Sequence, residues 1–228
     1  MTTPTPTTGS FDDVKGHNNE NIRKGRELAV FLAPWEDSDP IDDIVDASNN
    51  LVIPPEYISV GMLTEDDGIT HSPDLTVDEV RAAGYGRAVR KDMSARGEML
   101  AFVMLESGRI AFEVYYAIDL SQVKAAKTTG QVKFDQPDRP DTKYWRAFTI
   151  GKDGDGTGAI YHVEHYTRMT LSDVDDLTQS PTDATTWSVT LSAEDDATVG
   201  TGHRTFWAGP GMNSDARLAA MGFTRAAS

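Results

Sequence analysis

Apolar residues recur at every second position through much of this chain, the spacing of strands that bury one face. In residues 27–33, ELAVFLA, Leu28, Val30 and Leu32 share one side and Ala29, Phe31 and Ala33 the other, and Pro34 closes the run. A buried strand is predicted there. Shorter β signals follow at 57–61, 68–72, 98–105, 131–134, 145–150, 159–170, 185–193 and 204–208, the spacing of a β-sandwich. Helical signals are few. Residues 76–83 carry a capping box, Thr76 with Glu79, and Gly84 stands where a left-handed C-cap belongs, which predicts a short helix. Residues 214–221, ending at Gly222, predict a second.

Residues 107–118 read two ways. Ile110, Phe112, Val114, Tyr116 and Ile118 alternate as in a strand, whereas Ile110, Val114, Ala117 and Ile118 form a helical stripe behind a Ser107 cap. No self-similarity at a period of roughly 20–50 residues supports a solenoid or propeller. The expected fold is mainly β, sandwich or barrel-like, with short additional helices.

The 228 residues divide into a polar, Thr/Pro-rich arm over 1–20, a β-sandwich domain over 21–208 and a C-terminal segment with a short helix over 209–228. The arm has too little apolar surface to offset the entropy of ordering itself. Inside the domain, residues 35–55 form a long loop with six acids, among them Glu36, Asp37 and Asp39, and no base. A loop of that length is usually functional.

Composition removes whole classes of function. Without cysteine there is no disulfide framework, thiolate nucleophile or Cys-type zinc site. With 36 acidic against 21 basic side chains the formal charge is −15, so nonspecific binding of nucleic acid through Lys and Arg is disfavoured. The longest apolar run, residues 99–105, falls far short of the ~20 residues of a membrane-spanning helix, and MTTPTPTTGS lacks the basic and apolar regions of a signal peptide.

Candidate chemistry is sparse. Asp153, Asp155, Thr157 and Glu164, with Gly158 at position six, match a calcium loop, but that geometry needs flanking helices and the flanks here alternate like strands. A Gly/Asp hairpin turn explains the same letters. A binding module using residues 153–164 for calcium and an exposed face for carbohydrate is the alternative reading. His162 and His165 are spaced to point to opposite faces of a strand and so do not share a metal. Asp66/Asp67, Asp175/Asp176 and Asp195/Asp196 read as solvated turn acids, not as a catalytic pair. No phosphate-cradling loop or nucleophile elbow is present. Neither a catalytic residue nor a cofactor is expected.

The distinctive feature is the charge layout. Arg81, Arg87, Arg90, Lys91 and Arg96 form a basic band, while residues 169–203 hold seven acids, including Asp173, Asp175 and Asp176, and no Lys or Arg. Opposite patches on one chain suit contacts between copies.

Three stretches then suggest a family. They are Gly61-Met-Leu-Thr-Glu65-Asp-Asp-Gly68-Ile69; Arg87-Ala-Val-Arg90-Lys-Asp-Met-Ser94-Ala-Arg96-Gly-Glu-Met-Leu-Ala-Phe102-Val-Met-Leu-Glu106; and the opening Asn21-Ile-Arg-Lys-Gly25-Arg-Glu-Leu-Ala-Val-Phe-Leu-Ala-Pro34. With the ending Leu218-Ala-Ala-Met-Gly222-Phe223, their order resembles the major tail tube protein of long, non-contractile-tailed bacteriophages, most closely the versions carried by phages of actinobacteria. The resemblance implies a tail tube fold with one principal helix, placed at 107–117, and six copies closing into rings that stack into a hollow tube for DNA ejection. It implies tape-measure, tail-tip and tail-terminator proteins as partners, residence in the virion and assembly in the host cytoplasm. The charge layout marks Arg87, Arg90, Lys91, Arg96, Asp173, Asp175 and Asp176, with Glu36, Asp37 and Asp39 of the acidic loop, as self-assembly candidates, and the resemblance implies DNA that passes without specific binding.

Overall fold

The computed structural model describes residues 8–139 and 141–226; residues 1–7 of the expected arm lie outside the described residues. The chain runs α1 (Phe11–Lys15), β1 (Glu27–Pro34), β2 (Ile58–Ser59), β3 (Ile69–Val80), β4 (Arg90–Met104), α2 (Arg109–Tyr115), β5 (Tyr144–Asp153), β6 (Ile160–Val174), β7 (Trp187–Ala193), β8 (His203–Ala208) and α3 (Asp215–Ala220). The protein is mainly β, as its alternating pattern requires.

All strand pairings are antiparallel, in the order β2-β1-β5-β6-β7-β4-β3. β6 forks the sheet: residues 161–166 pair with β8 and residues 169–174 with β7. Val30 and Leu32 of β1 share one buried cluster with Leu100 and Phe102 of β4, although three strands separate them in the sheet. At about 4.8 Å per strand step a flat sheet could not bring them together, so the sheet curls on itself. α2 closes this core with Ile110, Ala111 and Val114. The helical stripe therefore prevails in residues 107–118, and Ala117, in the left-handed region at φ 51°, turns the chain out of it.

A second cluster lies on the reverse face of β1, β5, β6 and β8, where Ala33, Phe148, Ile150, Val163 and Ala208 are covered by Ile41, Ile44 and Tyr57. The acidic loop over 35–55 is thus a structural layer. Ile41 and Ile44 are 4% and 2% exposed, so this part of it does not wait for a partner to be ordered.

Two predicted elements are corrected. Residues 76–83 are not a helix: β3 continues to Val80, pairing Val77 with Met93, Glu79 with Lys91 and Val80 with Arg90. The Glu79 carboxylate, instead of capping a helix, takes Arg81 and Lys91, and the left-handed Gly84 (φ 84°) serves the hairpin loop. Residues 131–134 form no strand, because Phe134 packs on Phe112 and Tyr116 beside α2. The C-terminal helix forms as expected, its first turn capped by the Ser214 hydroxyl, which accepts from Arg217 N at 3.4 Å, with Gly222 following at φ 83°.

Candidate functional site

The β3–β4 hairpin has two halves with different environments. Its inner half carries Leu100 and Phe102 into the core, while residues 73–80 and 90–97 are almost wholly exposed on both faces. Directly opposed residues of an antiparallel pair share a face, so Leu75, Val77 and Met93 extend the core-facing side outward. They remain uncovered: Leu75 is 49%, Val77 47% and Met93 65% exposed, and Val80, Tyr85 and Val89 add further apolar surface toward the tip. A register shift between Thr76 and Val77 leaves Ser94 as an extra residue, and such bulges sharpen local twist. β3 is also the last strand of the sheet, so among the described residues its outer backbone edge has no ladder partner. Pro73, Asp74 and Asp78 interrupt that edge with the groups that discourage indiscriminate pairing.

The basic band is not a free cationic patch. Arg81 and Lys91 bind Glu79, Arg90 binds Asp92 at 2.6 Å and Arg96 binds Glu98 at 2.6 Å. Among the described residues Arg87 alone of the five lacks an ion pair. Asp78 and Asp92 sit directly opposite each other, an unfavourable like-charge pair. Asp173, Asp175 and Asp176 lie exposed at and beyond the end of β6, where the Asp175 carboxylate accepts from the Ser188 hydroxyl at 2.5 Å. Glu36 and Asp37 occupy a 3-10 turn, and the Asp39 carbonyl accepts from Tyr57 Oη at 2.8 Å. Among the described residues no ion pair joins these acids to the hairpin bases, so any meeting of the two sets takes place between copies.

The calcium-loop pattern dissolves in the fold. Asp155 pairs with Lys152 at 3.0 Å, and a 3-10 turn over Gly156–Gly158 joins β5 to β6. Glu164 instead lies within β6 opposite Thr149 and Thr205, where its carboxylate engages His162, His203 and the Thr205 hydroxyl. Burial opposes the charged form of Glu164, but these hydrogen bonds outweigh it and hold the carboxyl well below the usual range. His203 also reaches Glu98 of β4 at 2.6 Å, tying the hairpin base to β6 and β8. Burial would lower its pKa, and the two glutamates raise it instead.

His162 and His165 point to opposite faces, as their spacing dictates. His162 stacks on Trp207, whereas His165 is fully buried beneath Tyr57. Burial, reinforced by Arg204 and Arg146, pushes His165 down to about 3. Because its folded value is depressed, its contribution to stability is complete above the ordinary 6.5 and is lost as pH falls toward about 3. His71, also lowered by burial, acts in the same direction. His203 acts oppositely, losing its contribution as pH rises through its raised value. The urea midpoint is therefore expected to fall between about pH 6.5 and 5, and His165→Asn to flatten that slope; an unchanged slope in the variant would contradict this assignment.

One acid read as solvated is buried. Asp196, 3% exposed, pairs with Arg146 at 2.8 Å and accepts from Trp35 Nε1 at 2.9 Å and from Thr198 N and Oγ1. Arg146 also donates to Thr167 O at 2.5 Å and Ser38 O at 3.1 Å. Its partners come from three distant segments, so no local pattern marks the cluster.

The site defines a class: a curled, mainly β domain whose exposed chemistry lies on a projecting strand pair. No family profile matches the sequence, and no curated protein does. Several solved structures are similar, two of them as follows. A chain of the anti-feeding prophage baseplate, a 6-fold symmetrised cryo-EM structure, has a TM-score of 0.45 at 10% identity and covers 90% of this chain and 97% of that one. A chain of the tail of an empty GTA particle, from helical refinement in C6 symmetry, has a TM-score of 0.39 at 6% identity and covers 77% and 96%.

Proposed function

We propose that this chain is the tube subunit of a long, non-contractile phage tail, a virion structural protein and not an enzyme. Its copies close into hexameric rings, and the rings stack into the conduit through which DNA is ejected. The observation that carries the reading is the outer half of the β3–β4 hairpin, which holds Leu75, Val77, Val80 and Met93 in solvent beside an unpaired strand edge. A soluble monomer rarely keeps such a surface uncovered. A second copy can cover it, at about 1.5–3 kcal/mol for each large apolar side chain fully buried.

Since the hairpin bases are already paired, apolar burial drives the contact and charge sets its register. Arg87 and Asp78, which make no ion pair among the described residues, supply the free charges for that purpose. The order of segments that resembles tail tube proteins supports the same reading and assigns the tape-measure, tail-tip and terminator proteins as partners. A formal charge of −15 suits a conduit that does not hold its passenger, because phosphate contacts through Lys and Arg are what retain DNA. Sedimentation velocity at rising concentration, with and without the tail-tip initiator, tests the proposal. Growth into hexamers and their multiples is expected; a chain that stays monomeric beside its initiator overturns it.

A further inference from the structure

A cavity of about 350 Å³ opens between the segment leading into β1 and the face formed by β5, β6 and β8. Arg23, Lys24, His71, Thr149, His162 and Trp207 line it. Most of these groups are already engaged. His71 Nδ1 lies 2.8 Å from Tyr166 Oη and its Nε2 lies 3.4 Å from Thr149 Oγ1. His162 pairs with Glu164 at 2.7 Å and stacks on Trp207 with centroids 4.3 Å apart, which makes one wall flat. Arg23 is different. Its Nη1 donates to Ile22 O at 3.1 Å, but Nε and Nη2 are shielded from solvent and have no acceptor among the described residues, so an anion in the cavity engages them once the half-buried side chain turns this edge toward it. Those two N–H groups form the side-on fork with which a guanidinium grips a carboxylate or phosphate, and arginine cannot relieve the deficit by losing its proton. Asp153 is the one carboxylate among the lining residues, and it makes no ion pair with Arg23.

We propose that this cavity is an oxyanion site in which Arg23 Nε and Nη2 hold a carboxylate or phosphate side-on. Lys24 provides a second positive charge, and the Trp207–His162 stack provides a flat wall for whatever carries the anion. The anion has two sources of the same chemistry, a free small molecule or an acidic side chain of a second copy. Neither depends on the tube reading.

The test is thermal unfolding at constant ionic strength in potassium chloride, acetate or phosphate, together with the NMR signal of the Arg23 Nε–H in the wild-type protein. A saturable rise in midpoint with acetate or phosphate is expected, accompanied by a shift of the Arg23 signal. Arg23→Gln should abolish the excess rise and Arg26→Gln should retain it. An unmoved Arg23 signal, or equal rises in wild type and Arg23→Gln, overturns the site; the NMR arm decides the matter even should Arg23→Gln not fold. Sedimentation then separates the sources. Self-association weakened by both phosphate and Arg23→Gln assigns the anion to a second copy, and self-association indifferent to both assigns it to a free molecule.

Discussion

Asp196→Ala is expected to lower the unfolding free energy by about 3–5 kcal/mol, a large share of the ~5–15 kcal/mol that holds an ordinary domain together. The reason is what the substitution leaves behind. Arg146 is as buried as its partner, and without the carboxylate its guanidinium keeps only the Thr167 and Ser38 carbonyls. The Trp35 indole N–H and the Thr198 amide and hydroxyl lose their acceptor as well. Burial alone would push the Asp196 carboxyl up, but the hydrogen bonds from Thr198, Trp35 and Arg146 outweigh it and hold the group well below the carboxylate range. Asp196→Asn keeps the shape and part of the acceptor set, so its loss should be smaller. Urea unfolding at neutral pH checks both, and a loss below about 1 kcal/mol for the alanine variant would contradict the cluster's structural role.

The second large effect falls on assembly and spares folding. Val77 and Met93 oppose each other on the outer hairpin and are about half and two-thirds exposed (47% and 65%), so replacing both with aspartate should change the unfolding midpoint of the free subunit little. If a second copy buries them, each replacement removes about half to two-thirds of the ~1.5–3 kcal/mol of a fully buried side chain and adds a charge whose desolvation costs more. Association should weaken about 10²–10⁴-fold for each contact. A variant that folds and still assembles like the wild type would show that the hairpin is not the joining surface.

The strands legible in the sequence are those with at least one buried face. Val30 and Leu32 fall on one packed side of β1 and Phe31 and Ala33 on the other, while Trp187, Val189 and Leu191 of β7 alternate with Ser and Thr, because a packed face enforces the period of two. The outer hairpin escapes that rule. With neither face buried in the free subunit, residues 73–80 and 90–97 carry no alternation to read, and Thr76 with Glu79 imitates a helix cap by chance of spacing. The same exposure that hides the element from sequence analysis makes it the candidate assembly surface. Asp196 was illegible for another reason: adjacent acids before a Gly-rich stretch look solvated, and Arg146 and Trp35 lie 50 and 161 residues away in the chain. Glu164 falls within the strand predicted at 159–170, but its partner is not legible there, since strand register across β8 carries it to His203.

Polymerisation is the function proposed for this domain. Negative-stain electron microscopy of the purified protein mixed with the proposed tail-tip initiator tests this most directly. Six-subunit rings stacked into tubes are the expected result, with tubes absent in the Val77→Asp, Met93→Asp double variant; fields of single particles from the wild type would contradict the account.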